Sequence, residues 1–434
     1  MIKDRKITAA LFGFLFIFVL QSMALAAGSA GIEVGLDSAR ALGKGNAVVA
    51  DPEDASTLVY NPAGLSTLDG NQIVMGNTIL VPITDYTNRS GVSEDGASLM
   101  ADIPSFFMSL ATPIENFKVG GGVNAPFGLK DQYSSTGAFK YTGFSSAITG
   151  MYYTLDGSYK LAPWLSVGAG GSYVDAHVRQ NSKLNSNFIS ISNGGPAGIA
   201  DANTEVDVKG HGAGWNLGVL VTPNEKWDVG FFYRSQVQAP LRGEYNADNL
   251  QGAVMTSIFG GGSFHTSADT DITFPDSAVL GVNYKATDKL NVEVDFGWTG
   301  WGKFDRFDFT YGSPNTILNV GDPSSHKFRN TLSVNVGTSY ALNSNWGVMA
   351  GYAFYERAAL ENDYSSVFQD GDRHSVATGL QYHRDNFSIS LAYASQFVAD
   401  IHVDNDVGSL NNVSIDGTYS EFYHIVTTSI AYKF

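Results

Sequence analysis

The segment from residue 290 to residue 298 alternates strictly between apolar side chains and polar or small ones. Its apolar positions are Leu290, Val292, Val294, Phe296 and Trp298, and between them stand Asn291, Glu293, Asp295 and Gly297. Segments 332–340 and 387–393 repeat the pattern. Successive side chains of a strand point to opposite faces, so each segment predicts a strand with one apolar face. That face meets either a second sheet, as in a soluble sandwich, or lipid.

The same alternation, read together with turn signals, predicts about 14 strands along the chain. They lie near 70–83, 103–113, 117–127, 142–161, 164–179, 204–222, 226–243, 268–286, 289–311, 325–342, 345–358, 370–385, 386–401 and 416–434. Six connections are tight turns, and those between them are long and polar. Short turns on one side and long loops on the other are typical of an outer-membrane barrel. The sequence therefore favours an all-β fold, a 14-stranded antiparallel transmembrane β-barrel.

Residues 1–26 have the organisation of a secretory signal peptide. Three cationic residues precede the apolar run 7–20, and small residues at 24–26 supply a cleavage site. The apolar run is shorter than a membrane-spanning helix requires. Cleavage after Ala26 removes three positive charges and one negative charge, so the net charge changes from −16 to −18. An exported chain without a second long apolar run is either soluble or a β-barrel.

The bulk composition narrows the classes of function. An acidic chain argues against nucleic acid as a partner, because phosphate contacts need clustered lysine and arginine. The absence of cysteine excludes disulfides and thiolate chemistry. Charged residues make up only 16 % of the chain, whereas aromatic residues reach 12 %. A lipid-facing surface accounts for this deficit of charge, which is unusual for a soluble acidic protein.

Aromatic residues are placed as a membrane interface requires. Trp164, Trp227 and Trp346 each follow a short turn directly, where the ring would lie between lipid and water. The chain ends on alternating aromatic residues, Tyr432 and Phe434. This ending resembles the signal by which the assembly machinery of bacterial outer membranes recognises its clients. The expected location is the outer membrane of a Gram-negative cell, in contact with its lipid.

Residues 27–69, which we call the hatch, precede the first strand, so that the predicted barrel comprises residues 70–434. The hatch contains six glycines and lacks strand alternation. A segment of this length without a strand of its own must pack somewhere. A barrel of this size encloses an open pore, because diameter grows with strand number. We therefore expect the hatch to plug the lumen.

The hatch ends in its sharpest motif, Asn61, Pro62, Ala63 and Gly64, which follows Tyr60. The plain interpretation is a turn, because asparagine before proline favours turn initiation and proline fixes its own φ. Its position, directly before the first strand, suggests more than a turn.

Together with other short motifs, this one resembles the FadL/TodX family of outer-membrane transporters for long-chain fatty acids and aromatic hydrocarbons. The motifs that carry the resemblance are, in chain order, 43–45 (Gly-Lys-Gly), 54–56 (Asp-Ala-Ser), 60–64 (Tyr-Asn-Pro-Ala-Gly), 124–128 (Asn-Ala-Pro-Phe-Gly), 233–235 (Tyr-Arg-Ser), 274–276 (Phe-Pro-Asp), 298–301 (Trp-Thr-Gly-Trp), 304–305 (Phe-Asp) and 372–374 (Asp-Arg-His). The resemblance covers nearly all of the chain after the signal peptide.

The resemblance implies a plugged 14-stranded barrel, expected here to be a monomer that needs no cofactor and no metal. It also implies a route for hydrophobic small molecules. The cargo is captured between outer loops, passes into a lumen pocket and leaves sideways through a gap at the third strand. Transport is passive, since the chain encodes no energy source. Fatty acid, aromatic hydrocarbon and alkane remain open as cargo.

The third predicted strand supports such a gap from its own residues. Glycine and proline crowd into nine positions, and the residues proposed for the gate are Gly120, Gly121, Gly122, Asn124, Pro126, Phe127 and Gly128. Proline cannot donate to a strand ladder, and glycine in a strand marks a bulge or a close backbone approach. The alternative is a bulge that merely bends the wall.

Two further groups are candidates for cargo contact. The resemblance suggests Arg179 and Arg329 as partners for a cargo carboxylate, with solvated charges at loop bases as the alternative. The long loop 244–267 carries apolar residues at helical spacing, namely Leu250, Val254, Met255, Ile258 and Phe259. They form either a capture surface or a structural cap over the barrel mouth.

The sequence offers no motif for catalysis. The eight histidines form no pair at the spacing of a metal site, and neither a nucleophile elbow nor a zinc-protease motif occurs. An enzyme is therefore not expected. A porin for polar solutes, a barrel enzyme and a surface adhesin remain the alternatives to a transporter of hydrophobic compounds.

Overall fold

The structure is a computed structural model of the whole chain. It describes residues 33, 37–96, 100–304, 308–313, 315, 317–318, 328–360, 364, 370–405, 407 and 412–434. The predicted signal peptide, residues 1–26, lies outside the described residues. The same holds for the first part of the hatch, apart from Glu33.

Alternating apolar and polar positions form strands throughout the described residues. The strands are β1 (Gln72–Asn88), β2 (Ser93–Asp95), β3 (Ala101–Ala111), β4 (Phe117–Gln132), β5 (Ser145–Ala162), β6 (Leu165–Leu184), β7 (Ala202–Asn224), β8 (Trp227–Arg234), β9 (Val237–Asp248), β10 (Ser263–Phe274), β11 (Ser277–Lys285), β12 (Leu290–Thr299), β13 (Thr310–Tyr311), β14 (Thr331–Ala341), β15 (Trp346–Tyr355), β16 (Arg373–Arg384), β17 (Phe387–Val403) and β18 (Gly417–Lys433). Strands β2 and β13 are short and belong to long loops. In the described part, the others make fourteen spanning strands, because β8 with β9, and β10 with β11, each form one interrupted strand.

The sheet closes on itself, which removes its edges. Strand β1 pairs with β18 in antiparallel register from Gln72 opposite Lys433 to Asn88 opposite Gly417. Each remaining spanning strand pairs with its neighbours along the chain, also antiparallel. The prediction of a 14-stranded antiparallel β-barrel is confirmed. The predicted strand ends are less accurate: β4 extends to Gln132 and β6 to Leu184, into segments that the sequence indicated as loops.

The two faces of a strand meet different surroundings, as β12 shows. The Phe296 side chain is 55 % exposed and points out of the barrel, whereas Glu293 on the opposite face is 0 % exposed. Tight turns join the strands at one end, and Trp164, Trp227 and Trp346 lie exposed beside them. An apolar outer surface bordered by aromatic rings is what a lipid bilayer requires.

Helices are few and short in the described part of the chain. They are α1 (Ala39–Gly43), α2 (Thr57–Tyr60), α3 (Ser186–Ser192) and α4 (Ala253–Phe259), with 3₁₀ turns at Pro62–Thr67 and Trp301–Lys303. Among the residues that the structure describes, none of these helices is long and apolar enough to cross a membrane.

The described part of the hatch lies inside the barrel and contacts opposite walls. Helix α1 is buried against β15 to β18, and the 3₁₀ turn Pro62–Thr67 is buried against β5, β6 and β7. Strands must leave room for it: a Cβ atom on Gly168 of β6 would lie 2.5 Å from the backbone nitrogen of Ala63. The hatch is therefore a fitted part of the lumen.

Candidate functional site

The wall is interrupted on the outer half of β4. Pairing between β3 and β4 ends at Phe106 opposite Val123, and from Asn124 to Gln132 strand β4 pairs with β5 alone. Between Asn124 and Phe127 the register with β5 shifts, so that one extra residue is accommodated there. A bulge of this kind bends a strand and ends its pairing. The result is a gap between the second and third spanning strands.

The residue types explain why pairing stops. A proline stands on each side of the gap, Pro104 on β3 and Pro126 on β4, and neither has an N–H group to donate. The glycines just before the gap admit large neighbours. A Cβ atom on Gly122 would lie 2.5 Å from the Phe107 ring, and one on Gly120 would lie 2.8 Å from the Leu65 side chain of the hatch. A Cβ atom on Gly121 would make only ordinary contacts, the nearest heavy atom lying 3.6 Å away.

On the inner side of the gap, Phe127 is completely buried among aromatic rings. Its ring stacks on Phe274 with centroids 5.0 Å apart, and Trp301 meets it edge-on at 5.9 Å. The guanidinium carbon of Arg234 lies 4.9 Å from the Phe127 ring centroid and 5.8 Å from that of Tyr152. A cation over a ring face is attracted by the ring quadrupole. Phe127 is thus held in the lumen by three neighbours.

The hatch covers the gap from inside. The Asp37 backbone carbonyl accepts a hydrogen bond of 2.7 Å from Ser105 Oγ on β3, and the Asp37 carboxyl faces the Asn124 side chain on β4. Glu33 forms a backbone bridge with Phe127. Burial raises the pKa of Asp37 to about 6, although the Asn124 hydrogen bond and the charge of Arg234 act against it. One hatch residue therefore connects both sides of the gap.

A cavity of about 120 Å³ lies behind this cover. Hatch residues Asp37, Val49 and Tyr60 form part of its wall, and Pro126, Arg234 and Trp298 come from the barrel. Arg234 Nε is buried without a hydrogen-bond partner. The cavity thus has mixed walls, with apolar side chains, the acidic residues Glu33, Asp37 and Asp295, and the aromatic-stacked guanidinium of Arg234.

One continuous apolar cluster connects the outer loops to the gap. It starts at Met255 and Phe259 of α4, continues along Leu241 and Ile272 of the wall and reaches Phe127. Of the five residues proposed for cargo capture, Leu250, Met255 and Phe259 lie at its outer end and Ile258 packs against it, whereas Val254 is not part of it. Leu250, Met255 and Phe259 are buried, and Val254 and Ile258 are half-buried.

Buried charges hold the hatch to the wall. Lys44 Nζ lies 3.0 Å from Glu293 Oε2 and 2.8 Å from Asp51 Oδ2. The backbone N–H groups of Val48 and Val49 donate to Asp295 Oδ2, and that of Ala50 donates to Glu293 Oε1. Paired and hydrogen-bonded in this way, the carboxylates of β12 can be buried. Both carboxyl groups therefore bind the hatch.

The motif at the end of the hatch is more than a turn. Asn61 Nδ2 donates to the carbonyl of Val49 at 2.9 Å and to that of Val219 on β7 at 3.1 Å. Its Oδ1 accepts from Ala63 N and caps the 3₁₀ turn, at whose first position Pro62 stands. A Cβ atom on Gly64 would lie 2.6 Å from the Cβ atom of Pro52, which is too close for any residue other than glycine. The motif seats the hatch on the wall.

The two arginines predicted to face the cargo do not line the cavity. Arg179 is half exposed on the outer face of β6 and donates to Glu205. Arg329 pairs with Glu356 at 3.0 Å and is 42 % exposed. The structure brings neither to the gap. The cation that lies at the gap is Arg234. In the sequence it belongs to the triplet 233–235, which was one of several motifs that carried the family resemblance.

The predicted assembly signal lies at the short-turn end of the barrel. Tyr432 and Phe434 are 45 % and 55 % exposed, and their rings stack with centroids 6.3 Å apart. Backbone hydrogen bonds join Phe434 to Asn71, one in each direction. Both rings therefore face outward beside the start of β1.

Comparison with known proteins gives one family and many relatives. The family described as outer membrane protein transport protein (OMPP1/FadL/TodX) matches residues 19–434. Outer membrane protein NMB0088 of Neisseria meningitidis is 27 % identical over 442 residues, which cover 94 % of this chain and 95 % of the relative. A long-chain fatty acid transport protein of Escherichia coli O157:H7 is 25 % identical over 389 residues, with 82 % of this chain and 84 % of the relative covered.

Solved structures agree on the fold. A FadL homologue from Pseudomonas aeruginosa superposes with a TM-score of 0.79 at 20 % identity, covering 94 % of this chain and 100 % of the other. The toluene transporter TodX of P. putida gives a TM-score of 0.70 at 17 % identity, covering 92 % and 98 %. Both comparisons show the same barrel fold over more than nine tenths of this chain.

Proposed function

Because this chain belongs to the outer membrane protein transport protein family (OMPP1/FadL/TodX) and is located in the outer membrane of a Gram-negative cell, we propose that it passively carries hydrophobic small molecules inward. The cargo enters between the outer loops near α3 and α4, passes the apolar cluster and the lumen cavity, and leaves sideways through the gap at β4. The transporter acts as a monomer, and the barrel itself performs no catalysis.

The continuity of the apolar cluster is the observation that carries this proposal. The same set of touching side chains includes the loop residues Met255 and Phe259 and the gap residue Phe127. An apolar molecule that exchanges places with these side chains stays out of water along the route. Transfer of apolar surface to water costs about 25 cal/mol per Å². A lateral exit into the bilayer avoids that cost, whereas release into the periplasm does not.

The location of the buried charges favours the same route. Glu293 and Asp295 face the lumen, where an apolar cargo crossing the full bore would have to displace their partners. In the hatch, Lys44 and backbone N–H groups bind these carboxylates. Asp295 borders the cavity, but the gap lies on another part of the wall, so cargo leaves without displacing Lys44 from Glu293.

A porin for polar solutes is the main alternative. It needs a water-filled passage, and the described hatch residues fill the lumen between opposite walls. A large steady conductance in planar bilayers would favour the porin. For a barrel enzyme, measurable ester or peptide hydrolysis by the purified protein would be the supporting result.

The lateral exit is tested by restoring the interrupted strand. Deletion of Ala125 removes the extra residue, and the changes Pro104→Val and Pro126→Val restore the missing N–H donors. We expect β3 and β4 to pair along their full length, and uptake of oleate by cells to fall to the level of cells without the protein. The folded barrel should still show its heat-dependent shift in gel migration.

The matched control is Pro240→Val, since Pro240 lies in β9, away from the gap, and points outward. This control should transport like the wild type. Unchanged uptake by the strand-restored variant would reject the lateral exit. Loss of uptake in both variants would point to general damage of the barrel.

A further inference from the structure

The Arg234 side chain lies at the junction of three features. It stacks over Phe127 of the interrupted strand and over Tyr152 of β5, and it forms part of the cavity wall. Its Nε is buried without a hydrogen-bond partner, and among the described residues no carboxylate forms an ion pair with it. Because the Arg234 side chain is half-buried and its buried Nε donor has no partner, an anion that accepts from this donor compensates its desolvation.

We propose that Arg234 is a clamp on the gate that responds to the head group of the cargo. In the empty protein its guanidinium holds Phe127 in the lumen. When an amphiphile with a long apolar chain and a carboxylate enters the cavity, the carboxylate binds the guanidinium. Phe127 then loses its contact with Arg234, so that the outer half of β4 can move. This inference rests on the proposed function, to which it adds a cargo class and a trigger.

The order of interaction strengths makes this exchange favourable. A charge-assisted, bidentate hydrogen bond between arginine and a carboxylate is stronger than the attraction of a cation to an aromatic face. A neutral cargo of equal length fills the same apolar space but has no carboxylate for the guanidinium to bind, so the guanidinium stays over Phe127. A ligand shifts an equilibrium only by its different affinity for the two states. Opening is therefore specific for the carboxylate.

The cavity also contains acidic groups that an anionic cargo must tolerate. Glu33, Asp37 and Asp295 border it together with Arg234. Asp295 is engaged with the N–H groups of Val48 and Val49. The alternative role of Arg234 is to neutralise Asp37 over a longer distance. In that case Arg234 acts on hatch stability alone, and the Asp37→Asn variant cancels the effect of removing the arginine charge.

The test separates binding from gate movement. The chain has no cysteine, so the Lys130→Cys variant carries a single spin label on the outer half of β4. Oleate and oleyl alcohol, equal in length and different in charge, are added to this protein in detergent. Both should bind, oleate about ten-fold more tightly, and oleate alone should mobilise the label.

Variants at the arginine complete the design. Arg234→Met keeps a long apolar side chain and removes the charge; we expect its oleate affinity to fall about ten-fold, its affinity for the alcohol to change less than two-fold, and its label to be mobile without any ligand. Arg234→Lys should restore part of the preference for oleate. Arg242→Met, an exposed residue on the outer face of β9, should behave like the wild type.

The outcomes are distinct. If both ligands bind and mobilise the label equally, or if Arg234→Met responds like the wild type, the clamp is rejected while transport of hydrophobic molecules stands. If Arg234→Met weakens both ligands equally, or Asp37→Asn reverses its effect, the arginine is structural and the clamp is rejected. If the wild type binds neither ligand and takes up neither, the proposed function fails as well.

Discussion

Lys44 Nζ and Glu293 Oε2 lie 3.0 Å apart, and both side chains are completely buried. The first residue belongs to the hatch and the second to the barrel wall. The hatch therefore contributes the positive charge that the wall needs in order to bury a carboxylate. Such a pair is expensive to break, since removing one partner leaves an uncompensated buried charge.

Removing the two charges should have unequal effects on stability. In Lys44→Met, Glu293 loses its cation, whereas Asp51 keeps its ion pair with Arg40, so we expect a loss of about 3 kcal/mol or more in the free energy of unfolding. In Glu293→Gln the lysine keeps Asp51, and the loss should be smaller. Urea titration in detergent micelles, followed by gel migration, measures both.

A double variant, Lys44→Met with Glu293→Gln, provides the control. It should be more stable than Lys44→Met alone, because it removes the carboxylate that Lys44→Met leaves without a cation. Equal stability of all variants and the wild type would show that the pair does not hold the hatch.

A single methyl group on the wall, opposite Asn61, should be enough to displace the hatch motif. A Cβ atom on Gly218 of β7 would lie 2.1 Å from Asn61 Oδ1. We therefore expect Gly218→Ala to displace the Asn61 motif at a cost of about 1–3 kcal/mol, with faster proteolysis of the hatch. Gly171→Ala, on the neighbouring strand β6, meets nothing closer than 3.6 Å and should cleave like the wild type. Equal cleavage rates for the two variants would contradict this account of the motif.

Much of the barrel follows from patterns within single strands. The alternation at 290–298 correctly separates the outward Phe296 from the inward Glu293, and the tight turns give the number of strands. Strand ends were less predictable, because β4 and β6 continue beyond the lipid with mostly polar residues. Polar strands exposed to water carry the composition of loops.

The candidate site depends on pairing across strands, which one sequence does not encode locally. The gap required both Pro104 and Pro126, and only the second stood out, because Pro104 lies in an otherwise regular strand. Arg179 shares the outward face of β6 with Tyr173, and this parity already argues against a lumen role. The inward face of β8 carries Arg234 and Phe232. In a lumen that is itself apolar, alternation does not reveal which face is inside.

The stability of the hatch should fall as pH rises. Burial raises the pKa of Asp37 from its ordinary value to about 6. The folded protein thus holds a proton that the unfolded chain releases, so stability is highest in acid, decreases between about pH 4 and 6, and stays low above. The full effect of this group is about 3 kcal/mol. Thermal unfolding at several pH values, with protease access to the hatch as a second readout, measures it.

Asp37→Asn isolates this group from the other carboxyl groups that titrate in the same range. The amide keeps a partner for Asn124 and removes the charge, so the variant should be more stable than the wild type at pH 7.5 and equal to it at pH 4. A constant difference between the two proteins across this range would mean that Asp37 does not titrate on unfolding.

The final residue should matter for assembly more than for stability. Phe434 is 55 % exposed and faces outward, so its ring contributes little to the packing of the barrel. Its backbone is bonded to Asn71 in both directions, and these bonds remain when the side chain is removed. We therefore expect Phe434→Ala to lower the amount of barrel that reaches the outer membrane several-fold, while the purified barrel unfolds at the temperature of the wild type. Phe387→Ala is the matched control, since Phe387 is an outward ring at the same end of the barrel, 39 % exposed. If both variants assemble equally well, the terminal ring is an ordinary interface residue and no signal for the assembly machinery.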